Sequence, residues 1–182
     1  PGNTGRRPRG AAKPVLVRLK GIRPERPRYL WQGRVILGNL TVEGGLPGLG
    51  KSFILVALTA AVTTGRAVLP GEDACPLGNV LLLTAEDSHA EIARRLLAAG
   101  ADMDRVACLT LVETSDGQRR GLSLRDVAAI EEALDEMGDV VLVGIDPITA
   151  FWDGSDSHKD TEVRGLLSAL VEMAGRRNIA LV

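Results

Sequence analysis

Aromatic side chains are scarce in this chain: two Trp, two Phe and one Tyr among 182 residues. So few rings weigh against a row of stacking platforms for single-stranded nucleic acid. Cysteine is limited to Cys75 and Cys108, far apart and without metal-ligand spacing. That removes disulfide scaffolds and zinc modules, and leaves two reduced thiols as the expectation. His89 and His158 are the only histidines and stand in no ligand pattern. A surface or capping role is expected of each. The longest mostly apolar run, Phe53 to Val62, is too short to span a bilayer. No secretory signal is visible either, so the expected compartment is cytoplasmic, with no membrane partner. What is present is ordinary for a folded protein: 45% hydrophobic residues, enough at this length for one substantial core.

The net charge of −1 argues neither for nor against a polyanionic partner. Its distribution is uneven. Residues 1–28 hold nine Lys or Arg and one acidic residue, a balance of +8; the remainder holds thirteen against twenty-two, a balance of −9. The start of the chain is rich in Pro, Gly and Arg and lacks apolar periodicity, which reads as a flexible arm or linker. Pro14 to Leu19 is expected to form a short edge strand within it. Such a basic arm suits nucleic-acid phosphates; a solvated linker with incidental charge is the simpler alternative.

Gly45-Leu46-Pro47-Gly48-Leu49-Gly50-Lys51-Ser52 fits the pattern G-x-x-x-x-G-K-[ST] at every fixed position. At average residue usage a chain of this length meets that pattern by chance less than about one time in a hundred. The chemistry of the pattern is legible. Glycines let backbone N–H groups close around an anion, and the following helix adds the positive end of its dipole. Lys51 is expected to reach the terminal phosphates, and the Ser52 hydroxyl to help hold Mg²⁺. Phe53 completes the cofactor-binding stretch. Asn39 to Glu43 reads as a short buried strand before the loop, and Phe53 to Thr64 as a buried helix after it. Strand, glycine loop, helix is the setting that the motif requires, and it implies a nucleoside triphosphate as the ligand, with ATP the one expected. The alternative, a glycine-rich turn joining two elements, leaves Lys51 and Ser52 without a reason.

Mg²⁺ held by Ser52 alone would be poorly fixed, and a carboxylate at the end of a neighbouring strand is the usual supplement. Asp139 to Asp146 supplies one: five of the six residues between the two aspartates are apolar, as in a strand buried on both faces. Asp146 stands at its C-terminal end, where ligands of open α/β sheets collect. An Asp-Pro turn with Pro147 is compatible with that role. Because Pro147 and not a glutamate follows, a water-activating base must come from another strand. Val80 to Asp87 is a second hydrophobic run ending in two carboxylates. Glu86 is the candidate catalytic base and Asp87 the runner-up. The alternative for each is to serve the N-terminus of the next helix, Ser88 to Ala99.

Elsewhere strands and helices alternate. Arg105 to Val112 reads as a strand, Ser123 to about Met137 as an amphipathic helix ended by Gly138, and Thr161 to Arg176 as a helix before a final strand. The segments 114–121 and 152–159 read as polar loops. This alternation predicts an α/β fold, a mainly parallel sheet with helices on both faces.

Together these segments resemble the RecA-like P-loop NTPases, and most closely the RepA-type branch related to plasmid and phage replicative helicases. The resemblance runs from Tyr29-Leu30-Trp31-Gln32-Gly33-Arg34 through the phosphate loop and residues 81–88 to Arg94-Arg95. It continues with Ile145-Asp146-Pro147 and with Asp160-Thr161-Glu162-Val163-Arg164. It implies a RecA-like ATPase core over residues 29–182, Glu86 as catalytic base, and Asp146 assisting Mg²⁺. It also implies a homo-oligomeric ring, such as a hexamer, acting on single-stranded DNA, with an arginine donated in trans. Relatives place a polar sensor residue and an arginine finger beyond the strand in which this chain ends, and the first residue is Pro1. A fragment of a longer protein is therefore expected. A nucleotide-gated switch or loader with little turnover is the competing function. A P-loop small-molecule kinase ranks third, because no arginine-rich lid is visible.

Overall fold

The computed structural model describes residues 15–24, 26–46, 48–152 and 160–182. A short antiparallel hairpin comes first, β1 (Tyr29–Trp31) and β2 (Val35–Ile36). Then follow α1 (Lys51–Thr64), β3 (Asn79–Thr84), α2 (His89–Ala98) and β4 (Val106–Cys108). A second hairpin, β5 (Leu111–Glu113) and β6 (Arg119–Gly121), leads to α3 (Val127–Met137), β7 (Val140–Asp146), α4 (Asp160–Arg177) and β8 (Ala180–Leu181).

Four strands form the central sheet in the order β4-β3-β7-β8, every pair parallel. Parallel neighbours bury both faces, and the sequence obeys: every residue from Val80 to Thr84 is buried. Alternation then divides the core in two. Val80, Leu82, Leu142 and Ala180 pack with Leu55, Leu58 and Val62 of α1, Ile92 and Leu96 of α2, and Leu30 and Val35 of the first hairpin. Leu81, Leu83, Val143, Ile145 and Leu181 pack on the other face with Ile130 and Leu134 of α3 and Leu170 and Met173 of α4. Each fully buried leucine stabilises the fold by about 1.5–3 kcal/mol before entropy is counted.

The chain steps from β3 outward to β4 through α2, then back past β3 to β7 and on to β8 through α3 and α4. A reversal of direction at constant crossover hand demands helices on opposite faces, which is where these lie. The reversal also opens a crevice between the C-terminal ends of β3 and β7, the place where such sheets bind ligands. Register puts Thr84 level with Asp146 across it.

Gly144 sets how closely α1 approaches the sheet. A Cβ there would stand 2.6 Å from Leu55 Cδ1 and 3.0 Å from Leu82 Cδ2. The helix that begins with Lys51 and Ser52 thus rests directly on the strand that ends in Asp146. The first hairpin is pinned from outside: Trp31 Nε1 donates to Glu72 Oε2 at 2.7 Å, and Arg34 donates to the other carboxylate oxygen at 2.6 Å. The Arg34 guanidinium lies 4.5 Å over the Trp31 ring. These two donors, Trp31 first, hold the Glu72 carboxyl below its ordinary range.

Three sequence expectations are corrected. The strand before the phosphate loop shrinks to one parallel bridge, Leu40 to Leu181, supported by Thr41 N to Leu181 O at 2.8 Å and Leu181 N to Asn39 O at 3.0 Å. Val42 and Glu43 are exposed, because at the sheet margin nothing covers them. Residues 15–19 form no strand, and Val15, Leu16, Val17 and Leu19 are exposed. The continuous run 105–112 is split. Pairing with β3 ends at Leu109 N to Leu82 O, 2.9 Å, and Leu111–Glu113 pairs instead with Arg119–Gly121, the second of which had read as loop. A tight turn closed by the Thr114 hydroxyl on Gln118 O, 2.9 Å, with Gly117 at φ 78°, makes that hairpin. Of the expected arm over residues 1–28, residues 1–14 and Glu25 lie outside the described residues, as do residues 153–159 of the expected loop at 152–159, His158 included.

Gly144→Val should destabilise the protein by about 1–3 kcal/mol through overpacking against Leu55 and Leu82. In urea unfolding, combining it with Leu55→Ala should cost less than the sum of the two single changes; strict additivity would show that α1 does not rest on β7 at this point.

Candidate functional site

The loop from Leu40 to Lys51 leaves the sheet margin and turns into α1. Gly48 and Gly50 adopt φ of 79° and 84°, the left-handed region that side-chain-bearing residues avoid. Gly50 caps α1, with no side-chain cap and no acidic residue in the first turn. α2 differs: the Ser88 hydroxyl accepts from Glu91 N, and Glu91 lies in its first turn. Phe53 N donates to Gly50 O at 3.0 Å, but no side chain caps the N-terminal amides of α1 among the described residues, which suits an anion site. Lys51 Nζ donates to Gly45 O at 2.9 Å and Leu46 O at 3.1 Å, lying along the loop it is expected to serve. Leu46, Leu49 and Phe53 are exposed around it, and Pro47 lies outside the described residues.

Two cavities adjoin this loop. One of about 150 Å³ lies between Thr41, Glu43, Lys51, Asp146 and Pro147. The other, of about 40 Å³, is walled by Ser52, Thr59, Thr84, Glu86, Arg95 and Asp146. Leu55 and Asp146 belong to both. Ser52 from α1, Asp146 from β7 and Glu86 from the bend after β3 therefore converge on one small space. A hydroxyl beside a carboxylate suits a hard cation that keeps waters and phosphate oxygens as its remaining ligands, which is Mg²⁺ chemistry. Such a site needs no cluster of three carboxylate, His or Cys side chains, and none exists among the described residues. A larger cavity of about 750 Å³ lies at the opposite ends of the strands, near Gly78 and Asp139. Its two arginines are already engaged, Arg105 with Asp102 and Arg177 with Asp135.

The two carboxylates after β3 have different surroundings. Arg95 donates to both oxygens of Asp87, at 2.7 and 3.3 Å, and also to Glu91 at 2.9 Å. Its guanidinium lies 5.8 Å from the Phe53 ring, tying α2 to the first turn of α1. Glu86 is exposed and forms no ion pair among the described residues. An aspartate held on both oxygens by a guanidinium is not free to turn toward a water. Geometry therefore favours Glu86 over Asp87 as a base. Both stand beyond β3, which ends at Thr84, so the expected strand to Asp87 is shorter by three residues. Sequence reading gave no role to Thr59, Thr84 or Arg95. The signal for Thr84 was a hydroxyl at the end of an otherwise apolar strand, level with Asp146.

Other titratable groups stand apart from this crevice. Cys75 is buried, and burial raises its thiol pKa; Cys108 is also raised by burial, against which the Thr84 hydroxyl works. Neither forms a disulfide. His89, exposed, opens α2. No helix among the described residues is long and apolar enough to cross a membrane.

A family model described as an AAA domain matches residues 6–182. No curated protein matches the chain.

The Glu91 carboxyl is held at about 2, chiefly by the hydrogen bond from Arg94 and then by Arg95. A depressed carboxyl stabilises above its unfolded value, so these ion pairs should be intact above about pH 4.5 and be lost as pH falls through about 2. Carboxyl-detected NMR titration should place the Glu91 midpoint well below 4, and Arg94→Ala should raise it. A midpoint unchanged by that substitution would contradict the pairing.

Proposed function

The chain belongs to the AAA domain family of P-loop ATPases, and on that premise we propose that it is the Mg²⁺-dependent ATP-hydrolysing core of a nucleic-acid motor in the RepA-type branch of RecA-like enzymes. The observation that carries this reading is the convergence of Ser52, Glu86 and Asp146 on one cavity beside the amides of α1. Lys51 would neutralise the terminal phosphates, leaving the Gly45 and Leu46 carbonyls for them. Mg²⁺, held by Ser52 with Asp146 alongside, would supply charge neutralisation between the phosphates. Glu86 would accept the proton of the attacking water, its side chain being free of ion pairs where Asp87 is not.

The family supports nucleotide binding and hydrolysis; the motor role draws on the resemblance of residues 29–41, 81–88 and 145–151 to the helicase-related branch. A homo-oligomeric ring is part of the proposal. Val42, Leu46, Leu49 and Phe53 form an exposed apolar rim around the phosphate loop, and apolar rims suit burial by a neighbouring subunit. Single-stranded DNA is the proposed track. With few rings available, backbone charge must supply the grip; Arg119 and Arg120 of the β5–β6 hairpin are exposed, and phosphates would compete with Glu113 and Asp126, with which they pair in this structure.

ATP hydrolysis by the chain should require Mg²⁺ and rise on addition of single-stranded DNA. Lys51→Ala should abolish it, whereas Glu86→Gln should lower turnover roughly 10²-fold or more while ATP binding persists. Tight ATP binding with no turnover under any of these conditions would replace the motor with a nucleotide-gated switch.

A further inference from the structure

Thr59 Oγ1 and Thr84 Oγ1 are buried and make no hydrogen bond among the described residues. They come from different elements, α1 and the end of β3, yet both wall the cavity of about 40 Å³ shared with Ser52, Glu86 and Asp146. Thr59 is 0% exposed and Thr84 8%. A threonine inside a helix ordinarily satisfies its hydroxyl on the carbonyl one turn back. Thr63 does so on Thr59 O at 2.9 Å and Thr64 on Ala60 O at 2.6 Å; Thr59 does not. Thr84 has the Cys108 thiol as a neighbour, whose pKa its hydroxyl lowers against the effect of burial, but a thiol is a weak partner and the hydroxyl has no nitrogen or oxygen partner. Buried hydroxyls without partners are costly and uncommon, and two on one cavity have a common explanation.

We propose that this cavity holds one ordered water that bridges the Thr59 and Thr84 hydroxyls and donates to a carboxylate on its wall, making the two threonines positioning residues for Glu86. The volume admits the water: a site needs room of about 10–15 Å³ for the water's centre, and this cavity offers about 40 Å³. The partners decide the stability: two hydroxyls and a carboxylate meet the two to four hydrogen bonds that a buried water needs. The attacking water is a different molecule, on the phosphate side of Glu86. Asp87 is fixed by Arg95, and Glu86 lacks such a tether; the bridge supplies one. The kinetic consequence rests on the hydrolase reading above, whereas the water itself does not.

The test compares Thr59→Val and Thr84→Val, which keep shape and delete the hydroxyl, with Thr59→Ser and Thr84→Ser, which keep the hydroxyl. With the water in place, the valine variants melt at or below the parent temperature. Their kcat falls roughly tenfold to a hundredfold with KM for ATP unchanged. The serine variants recover turnover. A high-resolution crystal structure shows density within hydrogen-bonding distance of both Oγ1 atoms. Valine variants that melt higher with unchanged kcat, or a dry cavity, would overturn the proposal. Should the parent hydrolyse no ATP, the hydrolase reading fails while the melting comparison and the density still decide the water.

Discussion

Everything in the site depends on the closeness of α1 to β7. Leu55 stands so near Gly144 that no side chain larger than hydrogen fits without displacement, and Leu55 lies one turn beyond Lys51 and Ser52. That contact brings the amino end of a helix and the carboxyl end of a strand to the same edge of the sheet. A helix dipole, a lysine, a hydroxyl and a carboxylate then share one crevice although nearly a hundred residues separate Ser52 from Asp146. The packing is ordinary core chemistry. Its by-product is a place where four negative phosphate oxygens and a divalent cation can be matched by fixed charges.

Charge is distributed around this crevice so that each group has a separate task. Arg95 occupies Asp87 and Glu91, and Arg94 holds Glu91 as well, so two of the three acidic groups near the start of α2 are committed to structure. Glu86 is the one left for chemistry. The same division appears at the helix starts. α2 is capped by the Ser88 side chain, and α1 has no side-chain cap. Parallel strands make such a division affordable, because the sheet needs no polar help: its interior faces are covered by α1 and α2 on one side and by α3 and α4 on the other.

Much of this was legible in the residues. The glycine loop with Lys51 and Ser52, the two apolar strands ending near Glu86 and Asp146, and the helices with Ser88 and Gly138 at their ends follow from patterns with local causes. The strand at Asn39 to Glu43 was overestimated because apolar alternation does not reveal that a segment sits at a sheet margin with one bridge to Leu181. The run 105–112 was read as one strand because its apolar residues are continuous; the break at Leu109 depends on where β3 runs out of partners. The roles of Gly144 and of the Thr59 and Thr84 hydroxyls were invisible, since each is defined by atoms far away in sequence. Local chemistry announces a loop or a cap; only the packed sheet shows which distant groups face each other.

The central claim is that Ser52 and Asp146 act on one bound Mg²⁺-nucleotide. The most direct measurement is a double-mutant cycle of ATP affinity, with and without Mg²⁺, for Ser52→Ala, Asp146→Asn and the pair. Non-additive losses that appear only when Mg²⁺ is present are the predicted result. Additive losses, or the same losses without the metal, would contradict a shared site.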